Sequence, residues 1–256
     1  MPLPLSASLP APLDRRTFLR TSSASVATLF VAGAAHAQTQ SDTAEAAPQD
    51  EAGQPFSFDW LDERMRAAAQ SDYEDPEDTP ELIPDLDYDD YRQIQFDPKR
   101  ARWREADSLF HLHAFHPGWL YKQTVAINEV VDGTQTPITF STEDFLYYND
   151  LAERVPANAD LPGVAGFRIN TPLNRADLYD ELISFVGASY FRALARGNSY
   201  GLSARGLAIN TGLGREEEFP RFTEFWLERP APGQEQITLV AARQRPEVRR
   251  SDEGDQ

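Results

Sequence analysis

The chain has 256 residues and a formal net charge of -17, because 41 Asp and Glu outnumber 24 Lys and Arg. This acidic surplus repels the phosphates of nucleic acids and anionic lipid surfaces, so it argues against nucleic-acid binding. The sequence contains no cysteine, which excludes a disulfide framework, thiolate-bound metals and a thiol nucleophile.

Residues 1–37 have the pattern of a cleavable twin-arginine export signal. Arg15 and Arg16 precede a mildly apolar run that ends at Ala35-His36-Ala37, which fits a signal-peptidase site. The run is short and rich in Ala, Ser and Thr, so we expect no stable membrane anchor. An ordinary amphipathic helix is the alternative. The signal interpretation predicts a periplasmic protein that uses the twin-arginine machinery.

One helix is predicted close behind this segment. Residues 38–55 show no hydrophobic period and are predicted to be a flexible lead-in. Phe58, Leu61 and Met65 then recur at helical spacing behind Ser57, which predicts a short amphipathic helix capped by that serine.

An acidic stretch follows, with ten Asp and Glu between Asp72 and Asp90. Within it, Asp85-x-Asp87-x-Asp89 resembles the start of a calcium loop. Asp90 stands where glycine is required, however, and Phe96 where the bidentate glutamate belongs. We therefore predict a solvated loop and no metal.

After Tyr91, short β-like runs separated by Gly and Pro predict an all-β sandwich or barrel. The best local signal is Asp132-Gly133, which predicts a hairpin between Val125–Val131 and Ile138–Phe140. The other predicted strands are Leu109–Phe115, Val164–Asn170, Phe185–Leu194, Tyr200–Thr211, Thr223–Glu228 and Ile237–Ala241. Residues 243–256 have Val248 as their one aliphatic side chain and are predicted to be a disordered tail.

Three histidines lie within six residues. His111 and His113 share one face of a predicted strand, as two zinc ligands would, whereas His116 would need a bulge to join them. Half-exposed strand histidines are the alternative, and we predict no metal. A serine triad has less support, because Gly201-x-Ser203-x-x-Gly206 places its second glycine one residue too late for a nucleophile elbow.

Arginines recur on the polar faces of three predicted strands. Period-two alternation groups Arg192 with Tyr190 and places Arg168 and Arg205 opposite apolar faces. Guanidinium groups can donate hydrogen bonds to hydroxyls, and a tyrosine ring can stack on C–H groups, so this pattern suits an uncharged polyol. Trp226 lies among acidic residues and is either a sugar platform or a core side chain.

Carboxylates near these arginines leave two alternatives open. They could pair structurally with the arginines, or two of them could hydrolyse a glycosidic bond. No spacing selects a catalytic pair among the candidates, which are Asp144, Asp180, Glu181 and Glu216 to Glu218.

Several longer strings together resemble the periplasmic glucan biosynthesis protein G/D family. They include Tyr88-Asp89-Asp90-Tyr91-Arg92-Gln93-Ile94, Phe115-His116-Pro117-Gly118, residues 185–193, residues 200–209, and Glu218-Phe219-Pro220 with Phe225-Trp226. The twin-arginine pattern makes the chain similar to the D branch of that family.

The resemblance implies a large β-sandwich similar to galactose mutarotase, of which residues 56–242 would be the N-terminal part. It also implies a role in shaping the glucose backbone of osmoregulated periplasmic glucans, with no cofactor. Full-length D-type relatives resemble endo-β-1,2-glucanases, and we expect their catalytic carboxylates to lie outside this chain.

We therefore expect a truncated member that binds β-1,2-linked glucan. The alternatives are a non-catalytic glucan-binding scaffold and a nonfunctional fragment. The predicted glucan contacts are Arg168, Tyr190, Arg192, Arg205, Trp226 and, with less support, His116.

Overall fold

Two five-stranded sheets stack face to face around an aromatic core. The computed structural model describes residues 53–71, 77–187, 189–214 and 217–244, all within the compact unit that starts at Asp50. The predicted export signal with Arg15 and Arg16, most of the lead-in, and residues 245–256 of the predicted tail lie outside the described residues.

The strands alternate with a few short helices. The strands are β1 (Gln54–Pro55), β2 (Ile94–Phe96), β3 (His111–Phe115), β4 (Ala126–Val131), β5 (Thr134–Pro137), β6 (Phe145–Tyr147), β7 (Gly166–Arg175), β8 (Leu178–Val186), β9 (Tyr190–Ala193), β10 (Ala204–Arg205), β11 (Arg221–Glu228) and β12 (Leu239–Gln244). The α-helices are α1 (Phe58–Ala68), α2 (Tyr88–Tyr91) and α3 (Leu151–Arg154), and the 3₁₀ turns are Pro98–Arg100, Arg104–Ala106 and Thr142–Asp144.

The first sheet has the strand order β1-β5-β4-β11-β12, and the second has β10-β9-β8-β7-β3. Strands β2 and β6 form a separate pair. Neighbouring described strands are antiparallel except β4 and β11, which run parallel. The mainly β sandwich with an N-terminal helix is therefore confirmed. The helices of the described residues are all too short or too polar to cross a bilayer.

The core between the two sheets consists largely of aromatic rings. Phe225 of the first sheet packs edge-on against Phe167 of the second, with ring centroids 4.8 Å apart. Its ring centroid also lies 5.0 Å from that of Phe185. These three side chains are at most 7% exposed, and burying one such ring stabilises the fold by about 1.5–3 kcal/mol. Phenylalanine contacts thus hold the sheets together.

Helix α1 covers the other face of the first sheet. The hydroxyl of Ser57 accepts a hydrogen bond from the backbone N–H of Trp60 at 3.1 Å, so the predicted N-cap is confirmed. Leu61 of the helix packs into a hydrophobic cluster with Val130 and Trp226 of the sheet. Leu61 and the partly buried Met65 therefore pack toward β4 and β11, whereas Phe58 of the predicted apolar stripe is 69% exposed.

The structure corrects three predicted strands. The prediction of one strand over Phe185–Leu194 is wrong, because the chain turns at Gly187, whose φ of +75° is easily adopted by glycine. Within Tyr200–Thr211, only Ala204–Arg205 pairs as a strand. The predicted strand Ile237–Ala241 is observed as β12, which begins at Leu239 and continues to Gln244, into the predicted tail.

Candidate functional site

A row of polar side chains crosses the outer face of the second sheet. The strand register aligns His113 of β3, Arg168 of β7, Ser184 of β8 and Arg192 of β9. Intervening residues such as Phe167 belong to the core on the opposite face. The predicted division into a polar and an apolar face is thus confirmed. We call the side bearing Arg168, Arg192 and Arg205 the arginine face.

Glu181 lies at the centre of this face and is 8% exposed. Its Oε1 accepts hydrogen bonds from Nε and Nη2 of Arg192, at 3.1 and 2.7 Å, and from the hydroxyl of Ser184 at 3.0 Å. Nη1 of Arg168 lies 4.0 Å from Oε2 of the same carboxylate. The structural pairing of arginines with Glu181 is therefore confirmed for Arg192.

Both guanidinium groups remain accessible above that carboxylate. The side chains of Arg168 and Arg192 are 36% and 40% exposed, so about two-fifths of each still faces solvent. A guanidinium has five N–H donors, and the bonds from Arg192 to Glu181 involve two of its nitrogens. Glu181 can therefore hold the guanidinium in place while its outer edge meets a ligand.

A neutral histidine borders this cluster. His113 stacks on Phe96 with ring centroids 4.9 Å apart, and its Nδ1 lies 3.1 Å from the amide nitrogen of Asn170. Burial, and secondarily the positive charge of Arg168, lowers the pKa of His113 to about 4. The ring is thus uncharged near neutral pH, and the positive charge of the face comes from its arginines.

Arg205 forms a second group at the β9–β10 end of the sheet. Its Nε donates a hydrogen bond to the hydroxyl of Tyr190 at 3.2 Å, and its Nη1 forms an ion pair with Glu217. The guanidinium carbon also lies 4.7 Å from the ring centroid of Phe219. These contacts bring Arg205 and Tyr190 together, as predicted.

Sequence reasoning did not single out two exposed rings near the arginines. The guanidinium carbon of Arg192 lies 4.6 Å from the ring centroid of Tyr200, and Phe219 covers Arg205 in the same way. Both rings lie in irregular segments, where strand periodicity offers no signal. The one available signal was an aromatic residue in a polar, glycine-containing loop.

Two of the predicted glucan contacts lie elsewhere. Trp226 is 1% exposed beneath α1, stacks on Phe56 at 5.4 Å and donates its Nε1–H to Gln135 at 2.6 Å. His116 is 3% exposed and packs edge-on against Phe145. Such buried side chains cannot stack against a sugar or bond to it without unpacking. The core alternative fits Trp226, and neither residue belongs to the arginine face.

The candidate carboxylates in the described residues hold structural partners. Asp144 accepts two hydrogen bonds from Arg102, at 2.9 and 3.1 Å, and a third from the backbone N–H of Ser141. Asp180 accepts one from Asn174 at 3.2 Å. Glu216 lies outside the described residues. Glu218 accepts a hydrogen bond from Asn210 at 3.2 Å, so each candidate carboxylate that the structure describes has a structural contact.

The histidines considered above as possible zinc ligands do not converge. His111 stacks on Tyr179 with ring centroids 3.8 Å apart, while His113 contacts Asn170. Within the described residues, no group of three or more His, Asp or Glu side chains could hold a metal ion.

Comparison with known proteins adds independent information. A family model described as periplasmic glucan biosynthesis protein, MdoG, matches residues 56–248. A protein of Cereibacter sphaeroides named glucans biosynthesis protein G is 49% identical over 97% of this chain and 46% of its own length. Proteins of the same name from Rhodopseudomonas palustris and Bradyrhizobium diazoefficiens are 47% and 43% identical, over 73% and 90% of this chain. The chain spans less than half the length of these relatives.

Proposed function

The chain belongs to the MdoG family of periplasmic glucan biosynthesis proteins, and we propose that it acts in that process by binding a glucan across the arginine face. The arginine face comprises guanidinium edges fixed by buried or half-buried carboxylates, with exposed tyrosine rings beside them. Sugars offer hydroxyl groups to such donors and C–H faces to such rings. This arrangement is the observation that carries the proposal.

The finer parts of the proposal come from the family resemblance. The ligand would be the β-1,2-linked glucose backbone of osmoregulated glucans, and the compartment would be the periplasm, reached by twin-arginine export. The relatives named above carry the name protein G, so the D-branch assignment remains a prediction.

We assign binding rather than hydrolysis to this chain. The hydrogen bond from Arg205 lowers the pKa of Glu217 and so favours the ionised form, which cannot donate a proton, while Glu181 is held by Arg192. A general acid in a glycosidase must instead be protonated near neutral pH. A binding module is thus the function that these carboxylates support best, and a trimming enzyme is the second candidate.

Titration calorimetry with linear β-1,2-glucan tests the proposal. Tyr200→Ala removes a ring that is 55% exposed, and Tyr148→Ala removes a 44% exposed ring outside the arginine face as a matched control. We expect Tyr200→Ala to weaken binding about tenfold, equal to about 1.4 kcal/mol, and the control to have no effect.

Two results would change this assignment. No heat with the wild-type chain at millimolar glucan would refute glucan binding. Shorter oligosaccharides after incubation, detected by mass spectrometry, would show that a catalytic carboxylate pair lies within this chain.

A further inference from the structure

A cavity lies beside the β8–β9 turn at Gly187, and its lining does not include Arg168, Arg192 or Arg205 of the arginine face. It has a volume of about 420 Å³, in the size range of small-molecule sites. Residues that line it include Asp78, Trp119, Leu120, Tyr121, Gly187 and Arg221. We call it the Trp119 cavity.

A strained turn presents the aromatic wall of this cavity. Gly118 and Tyr121 exchange backbone hydrogen bonds in both directions, each 2.9 Å long, so the two residues between them form a tight tip. Trp119 at this tip has a φ of +54°, in the left-handed region that bulky side chains rarely adopt. Such a conformation costs about 1–3 kcal/mol and persists only where its surroundings enforce it.

Tyrosine rings support Trp119 in that conformation. The ring centroids of Tyr88 and Tyr91 lie 5.4 and 5.6 Å from that of Trp119, and the centroid of Tyr121 lies 6.2 Å away. The hydroxyl of Tyr91 donates a hydrogen bond to the backbone carbonyl of His116 at 2.7 Å, which anchors the group to the end of β3. The cavity therefore has a preformed aromatic wall rather than a loose loop.

Polar groups surround this wall. Asp78 lies on the cavity rim, and Nζ of Lys122 forms an ion pair with Glu81 at 3.0 Å beside it. Flat aromatic surface bordered by carboxylate and cationic groups matches a pyranose ring, whose faces are C–H and whose edge is hydroxyl. A purely apolar ligand would leave these charged groups without any role in recognition.

We propose that the Trp119 cavity is a second glucan subsite, which holds one glucosyl unit against Trp119 and Tyr121. The sugar class rests on the proposed function, whereas the cavity and its aromatic wall stand on geometry. A long chain that occupies both this subsite and the arginine face would bind more tightly than a short one, through the higher effective concentration of the second contact.

The experiment uses the full chain and two probes, linear β-1,2-glucan and the β-1,2-linked disaccharide sophorose. Calorimetry measures the Kd for glucan, and tryptophan fluorescence follows sophorose because Trp119 lines the cavity. We expect Trp119→Ala to weaken glucan binding at least tenfold and to abolish the fluorescence change. Asp78→Ala alters an exposed carboxylate and is expected to weaken binding about threefold, while Tyr148→Ala serves as the control.

Each outcome separates the two proposals. An unchanged Kd for both Trp119→Ala and Asp78→Ala, with weaker binding by Tyr200→Ala, overturns the subsite and leaves the arginine face. If Trp119→Ala unfolds, Asp78→Ala decides, because an exposed side chain can be removed without opening the core. Absence of glucan binding by the wild-type chain overturns both proposals.

Discussion

At the scale of single residues, His116 makes a pH-dependent contribution to stability. Burial among aromatic rings lowers the pKa of His116 from 6.5 to about 4, and Nε2 has no hydrogen-bond partner within the described residues. The unfolded chain therefore binds a proton between pH 6.5 and 4 that the folded chain does not. The free energy of unfolding should fall as the pH decreases across that window, by up to about 1.4 kcal/mol per unit.

Replacing His116 by Phe isolates this effect. Urea denaturation of the variant between pH 7.5 and 4.5 should show a shallower pH dependence than that of the wild type. The remaining slope should come mainly from His113, whose pKa is also about 4. Equal slopes for the two proteins would mean that His116 is not buried in its neutral form.

The predicted glucan contacts show what alternation along a strand can and cannot predict. Arg168 and Arg192 were assigned to one polar face because their own strands alternate, and the register confirms that assignment. Trp226 and His116 were misplaced because local spacing does not reveal what packs above a strand or after its end. Phe56 covers Trp226 from a segment 170 residues away in sequence, and Phe145 covers His116.

At the scale of elements, the attachment of α1 to the first sheet depends on Trp226. Trp226→Phe keeps an apolar ring against Phe56 and Leu61 but removes the indole N–H. The buried side-chain oxygen of Gln135 then loses the hydrogen bond that it accepts from this N–H. We expect a loss of about 1–3 kcal/mol in the free energy of unfolding by urea and an unchanged Kd for glucan. Weaker binding at unchanged stability would instead identify Trp226 as a ligand contact.

Elements with a local chemical signal were predictable, and those set by distant pairing were not. Asp132 and Gly133 both have positive φ, as the tightest hairpin turns require, so this dipeptide identified the turn after β4. The returning strand is Thr134–Pro137, however, and the prediction of Ile138–Phe140 as that strand is wrong. The parallel alignment of β4 with β11 joins segments about 100 residues apart, and no local pattern encodes it. β8 was missed as a separate strand because its polar residues obscure the alternation beside a bulge.

At the scale of the whole molecule, the arginine face is a patch of largely compensated positive charge on an acidic protein, because three arginines face two glutamates. Its guanidinium groups are paired with Glu181 and Glu217, while the chain as a whole carries a net charge of -17. The pairing makes the face a source of directed hydrogen bonds rather than a strong positive field. An uncharged ligand suits such a surface better than a polyanion does.

Ionic strength separates these two kinds of ligand. Raising the NaCl concentration from about 20 to about 300 mM shortens the range of interactions between exposed charges to less than about 10 Å. Self-repulsion among the excess carboxylates should weaken, so the melting temperature should rise by about 2–4 °C, equivalent to about 1 kcal/mol. The Kd for neutral glucan should change less than about twofold over the same range, because no ion is displaced from the ligand. A tenfold loss of affinity with salt would instead mean that the arginines recognise an anion and that the proposed ligand class is wrong.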